Sequence, residues 1–417
     1  MADTERGQLR RDHFTDFDLD SPEFTENYED VLRSIVAECP VAHSNVAGGY
    51  WVVSRYDDVR ACAQDWQTFS SEGGFEPGRG GDSGGAKLYP VELDPPYQTR
   101  WRNALGPYFG PRAIRSRADS IRAQVNDLID GFVEQGRCDF VDEFAAHLPG
   151  RVFFASFLGV PLDELPYIQT ATDNAMRGPM EGRPEAWAQV AAFLDNYLRM
   201  REKEPPRGDF VDVVLAGVED HDGNPCSWEH KLYVIIDLLA GGIGTTTYLL
   251  AGIAHHLATH PEDRARLAED RTLWPGAVEE FIRYYAAIVA LGRTATRETE
   301  VAGQKIAEGD FLMLAFAAAC RDPKVFDRPH DVDITRKITV NPAFSFGPHR
   351  CIGSHVARLE AMLTLEEMLR RLPDLALADG GEPVYSNSTI ARNIDTLSVR
   401  FTPGPREGGG GTAEPGR

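Results

Sequence analysis

No run of eighteen apolar residues occurs in this chain of 417 residues, which counts against a membrane span. The N-terminus, MADTERGQLRRDHF, also lacks the basic, then apolar, then small-residue order of a secretory leader. The expectation is a soluble, cytoplasmic protein. Positive charge is scarce: 43 Lys and Arg stand against 64 Asp and Glu, a formal net charge of −21. That balance argues against nucleic acid and against an anionic membrane surface as partners. Cysteine is sparse and scattered. Cys39, Cys62, Cys138, Cys226, Cys320 and Cys351 form no C-x-x-C pair, which excludes a zinc ribbon by spacing and counts against a disulfide framework. Long linkers and internal repeats are missing too.

What is present is a chain 42% hydrophobic, enough for one large core. Helical periodicity dominates in AIRSRADSIRAQVNDLIDGFVEQG, PEAWAQVAAFLDNYLRMREKE, KLYVIIDLLAGGIGTTTYLLAGIAHHLATH, LWPGAVEEFIRYYAAI and HVARLEAMLTLEEMLRRLP. Short strand-like pieces occur at GGYWVVSR, RTATRETEVAG, KIAEGDFLMLAF and DTLSVRF. The expected fold class is mainly α with small β-sheets. Residues 1–20 read as a flexible N-terminus, 21–403 as one domain and 404–417 as a disordered tail. The glycine-rich stretch over residues 70–90 is long enough to be a lid or binding loop.

One cysteine is chemically placed. In NPAFSFGPHRCIGSHVARLEAML, Cys351 stands just before a helix, after a Gly347-Pro348 turn, with Gly353 opening the helix. Unpaired N–H groups and the positive dipole end at such a position stabilise a thiolate, which can ligate a metal or act as a nucleophile. Phe344, Gly347, His349, Cys351 and Gly353 have the spacing of the haem-binding loop of the cytochrome P450 superfamily. The chain resembles that soluble bacterial-type family over roughly residues 20 to 403. Ser345 departs from it, standing where the loop more often has glycine.

The resemblance implies a single-domain cytochrome P450 fold, a triangular prism with haem b between the central long helix and the cysteine-loop helix. Cys351 then supplies the axial thiolate, which pushes electron density toward O–O cleavage. Arg102, Arg293 and His349 are the implied propionate partners, with Gln98 where many members place a histidine. Glu280 and Arg283, three apart on a helical face, with Arg336 from DVDITRK, match the family's structural network beneath the haem.

The stretch LLAGGIGTTTYLL is a poor helix former, since each interior glycine costs about 1 kcal/mol against alanine. From Ala240 and Gly241 to Thr246 it resembles the family's oxygen-binding groove, where an opened hydrogen-bond ladder can admit a water. Thr245 falls at the alcohol position that helps deliver protons, but the adjacent acid position is Gly244. Proton delivery is therefore expected from water, another side chain or the substrate. Asp237 shares that helical face; it either pairs with a loop arginine or backbone donor, or binds a hydroxyl or amine of the substrate. Ile288 and Val289 are further expected substrate contacts, with Phe75, Leu88, Tyr89, Thr389 and Ile390 as weaker ones. His255, His256 and His260 read as helix-end histidines.

The implied activity is a haem-thiolate monooxygenase acting on a mid-sized hydrophobic molecule. Its implied partners are dioxygen and a separate ferredoxin and reductase; the expected state is a monomer. Arg100, Arg112, Arg115, Arg117 and Arg350 form a candidate basic patch for the electron donor. The alternatives are a peroxide-using or atypical oxidant, in keeping with Gly244, and a non-catalytic haem sensor.

Overall fold

Trp228–Thr259 forms the axis of the molecule in the computed structural model, which describes residues 12, 14–78, 87–387 and 390–408. Ser227 caps this 32-residue helix by accepting the His230 N–H, and the helix runs unbroken through the glycine-rich stretch. The expected opening of its ladder is absent. Tertiary burial offsets the weak propensity: Val234, Ile235, Leu239, Ile243 and nearly every residue from Thr246 to Leu257 are buried. By composition it is long and apolar enough to cross a membrane, with a mean hydropathy of 1.6 over its best window, but 61% of that window is buried within the protein. Gly252 permits a close approach, since a Cβ there would stand 2.4 Å from the Tyr285 ring.

Around this axis pack the cysteine-loop helix Ser354–Arg371, the helix Arg183–Glu202, the short helix His147–Arg151 and a hairpin of Val384–Asn387 with Arg392–Thr396. A five-stranded sheet lies to one side, in the order Val41–Ser44, Tyr50–Val53, Phe311–Leu314, Leu291–Ala295, Phe69–Ser70. Its only parallel pairing joins Tyr50–Val53 to Phe311–Leu314, with Val52 opposite Met313. The largest apolar cluster surrounds the helices, with Trp101, Phe140, Phe154 and Phe210 fully buried; two smaller clusters flank the sheet.

The expected strands recur as Tyr50–Val53, Leu291–Ala295, Phe311–Leu314 and Ser398–Arg400. Other segments differ. Residues 113–136 break near Ser116 into Pro111–Arg115 and Ala118–Phe132. Between them and residue 160 the chain adopts π-helical turns, Val141–Ala145 and Val152–Phe157, rich in buried phenylalanine. Such a segment is apolar on several faces and gives no single-face period. The segment expected to be flexible at the N-terminus is partly packed: Phe17 and Leu19 are buried, and the Phe17 carbonyl accepts from both Ser44 Oγ and Tyr50 Oη. In the expected tail, the Glu407 and Gly408 N–H groups donate to Asp130. Residues 1–11, 13 and 409–417 lie outside the described residues.

Candidate active site

The loop carrying Cys351 is held by its own backbone. The Cys351 N–H donates to the Phe344 carbonyl at 2.8 Å, and the Phe344 ring is covered by the Arg358 guanidinium at 4.5 Å. Gly347 sits at φ 63°, and a Cβ there would lie 2.6 Å from the Ala63 carbonyl oxygen. Ser345 also has a positive φ, 59°, without glycine's freedom. Gln98 Nε2 donates to the Pro348 carbonyl at 2.6 Å and so ties the loop to the helix Tyr97–Phe109. Arg102, one turn on, donates to the Arg350 carbonyl.

Cys351 has accessible surface, but on a cleft: surrounding protein pushes its thiol up, while the Gly353 N–H and the cations Arg102, Arg358 and Arg350 pull it back toward thiolate. The charge of Arg102 acts on Asp237 as well as on Cys351, which links the cysteine loop and the central helix electrostatically. On the helix side Gly241 and Gly242 are exposed, and a Cβ on either would meet nothing within 4 Å. Thr245 Oγ1 donates to the Gly241 carbonyl at 2.9 Å, a bond back along the helix. At Gly244 a Cβ would come within 3.2 Å of Met176 Cε, the movable end of a side chain.

Two cations and an imidazole gather at one edge. Burial, then Arg293 and Arg102, hold His349 well below the usual histidine range, which makes it a neutral group between two guanidinia. Its Nε2 lies 3.1 Å from Ser71 Oγ. Arg293 is 4% exposed, and among the described residues its guanidinium donates only to the Gly292 carbonyl, at 2.6 Å. Burial lowers it to about 10, against the opposing charge of Asp94. Among the described residues neither Arg102 nor Arg293 makes an ion pair. Arg293, buried, and Arg102, half-buried, are cations without carboxylate partners among the described residues, and the two propionates of a haem would satisfy them. With a thiol opposite a bare-backbone groove, this donor set fits haem.

The remaining residues divide. Glu280 accepts from Arg283 Nε and Nη2, both at 2.7 Å, and from Arg336 Nε at 3.0 Å, so the expected three-residue network is present and buried. Asp237 is pushed up to about 8 by burial and then by Glu92, against the Val91 N–H and Arg102. Phe75, Leu88, Tyr89, Ile288 and Ile390 are half-buried, but Val289 does not line the cleft. It is fully buried in the cluster of Ala286, Ala290 and Met313, and its N–H donates to the Ile390 carbonyl at 2.8 Å. Thr389 lies outside the described residues. His256 pairs with Asp263 at 3.0 Å and stacks on His260, and no group of metal-ligating side chains occurs among the described residues.

Sequence reasoning missed Glu92, Asp94 and Met176. Asp94 accepts from Ser70 Oγ and the Ser71 N–H, fixing the serine that meets His349. Its only sequence signal is an acid before Pro-Pro at a helix start.

Comparison with known proteins gives the family and the fold. The family model described as Cytochrome P450 matches residues 172–399. A steroid C26-monooxygenase of Mycolicibacterium smegmatis is 31% identical over 85% of this chain and 88% of its own length. A vitamin D(3) 25-hydroxylase of Pseudonocardia autotrophica is 30% identical over 93% and 97%. The crystal structure of CYP108D1 from Novosphingobium aromaticivorans superposes with a TM-score of 0.78 at 31% identity, covering 90% of this chain and 94% of that one.

Proposed function

Because the chain belongs to the cytochrome P450 family and is a haem-thiolate monooxygenase, we propose that it inserts oxygen into a mid-sized hydrophobic molecule in the cytoplasm, with electrons from a separate ferredoxin and reductase. The observation that carries this reading is the charge of Arg102, which acts on both Cys351 and Asp237. The chemistry supplied by a haem held there is activation of dioxygen, one atom of which enters the substrate. Cys351 would hold the iron, and Arg102, Arg293 and His349 would hold the propionates. Gln98 keeps the loop in place through Pro348.

The protein's own contribution to proton handling centres on Thr245, whose hydroxyl is held over the groove by Gly241. No carboxyl stands at Gly244, so the proton reaches Thr245 from water or from a group on the substrate. Asp237, neutral below about 8, can donate to a substrate carbonyl or hydroxyl or accept from an amine. Phe75, Leu88, Ile288 and Ile390 supply apolar surface. The named substrates of the two relatives, a steroid and vitamin D(3), support a bulky apolar ligand.

Two measurements test this reading. Carbon monoxide on the reduced protein should give the absorption band of a thiolate-ligated haem, and Cys351→Ala should abolish it. Electron consumption should rise on adding a hydrophobic substrate that shifts the haem spectrum; no rise with any such ligand argues for a sensor. Gly244 also favours a second reading, a peroxide-driven oxidant. Product formed with peroxide but not with reductase and ferredoxin would select it. In Gly244→Asp the ratio of product to electrons consumed should change several-fold, and unchanged coupling and rate count against proton delivery by water or substrate.

A further inference from the structure

A cavity of about 490 Å³ lies beyond the groove, along the second half of the central helix, and none of Cys351, Arg102, Asp237 or Thr245 lines it. Its walls are aromatic: Tyr248, Tyr284, Tyr285 and Tyr385, with His255 beside them. The wall carries two acids, Glu29 and Asp331, and two arginines, Arg321 and Arg392, but these are not paired one to one. Glu29 is matched by Arg321, which holds it with two bonds at 2.7 and 2.8 Å, and His330 shares the same carboxylate at 3.3 Å. Asp331 stands on the open rim, its side chain 62% exposed and 3.9 Å from Arg328.

Arg392 is left over. It is 7% exposed, lines the cavity and makes no ion pair among the described residues. Its guanidinium lies between the Tyr28 ring at 3.9 Å and the Tyr385 ring at 4.3 Å. One nitrogen donates to the Thr25 carbonyl at 3.3 Å, and no other bond from the guanidinium is present among the described residues. With both faces covered by rings, only the in-plane edge can take a partner. That edge matches a carboxylate bidentately. A second unpaired group adds to the case: His255 Nδ1 is buried without a hydrogen-bond partner.

We propose that this cavity is a second binding site, separate from the haem cleft, for a small aromatic monocarboxylate, with Arg392 gripping the carboxylate and the tyrosine rings flanking the ligand's ring. Arg392, a wall cation without a carboxylate partner among the described residues, selects a monoanion, and the tyrosine walls select a flat apolar body. A volume in the range of small-molecule sites admits one or two fused rings.

The test is calorimetric titration of the haem-loaded protein with 2-naphthoate, with and without an azole saturating the haem iron. One-to-one binding that survives the azole is expected, at least tenfold weaker in Arg392→Met and also weaker in His255→Trp, which narrows the cavity and leaves Arg392 in place. The neutral 2-naphthamide should bind poorly, and inorganic phosphate should not compete. Absence of saturable binding at millimolar ligand, loss of binding with the azole, effective competition by phosphate, or affinity unchanged in the variants each overturns the site. If Arg392→Met does not load haem, His255→Trp decides alone.

Discussion

Ser345 holds a backbone conformation, φ 59° and ψ −174°, that belongs almost wholly to glycine. Its buried hydroxyl also has no hydrogen-bond partner. Strain of this kind costs about 1–3 kcal/mol, so Ser345→Gly should raise stability by about 1 kcal/mol or more in denaturant unfolding of the haem-loaded protein; an unchanged midpoint contradicts the strain. Asp237 gives a pH signature. Burial, then the charge of Glu92, pushes its carboxyl up to about 8 from the ordinary aspartate range. The folded state therefore keeps a proton that the unfolded chain releases. The stabilisation is full below the unfolded value and is lost as pH rises through the folded one. Asp237→Asn removes that dependence, so the melting temperature of the variant relative to the parent should climb between about pH 5 and about pH 8. A difference that stays flat over this window contradicts burial of the acid.

At the scale of elements, the helix Trp274–Tyr284 is fastened to the chain after it through Glu280, which also accepts the Asp333 N–H at 2.9 Å. Glu280→Ala leaves Arg283, fully buried, and Arg336 without their carboxylate. The expected loss is about 3–5 kcal/mol, visible as a lower unfolding midpoint and poor haem retention. The part of this network legible in the sequence was the local pair, because residues three apart on a helix must meet. Arg336 comes from 56 residues away and was identified only through the family pattern. The same distinction runs through the site. Cys351 and Gly347 stand out from a short local spacing, whereas Thr245 was identified only through the family resemblance. Glu92, Asp94 and Met176 reach the cleft only because distant segments pack there, and a two-residue strand such as Phe69–Ser70 has no period to detect. Val289 was misplaced for the opposite reason: its neighbourhood was known, but not that its side chain joins the cluster of Ala286, Ala290 and Met313.

For the whole molecule, a net charge of −21 coexists with a cationic region beside the cysteine loop. Arg112, Arg115 and Arg350 are exposed, and after burial the charges of Arg358, Arg350 and Arg115 hold His355 below its usual range. Arg100 and Arg117 do not join as free charges; Arg100 donates to the Glu219 and Asp220 carbonyls, and Arg117 donates to the Ser156 carbonyl and lies over Phe157. Reversing Arg112 and Arg115 to glutamate should slow reduction by an acidic ferredoxin by about tenfold or more at low salt, with the difference shrinking as salt screens the surface. Equal rates at low salt remove this surface from electron transfer. The unbroken central helix adds a constraint on how such a protein can change. Groove and tyrosine cavity sit on one rod about 48 Å long, in which each residue added or removed turns everything beyond it by about 100°. An insertion near residue 244 would swing Tyr248 and His255 out of register with their walls, so this segment can be revised letter by letter but not lengthened.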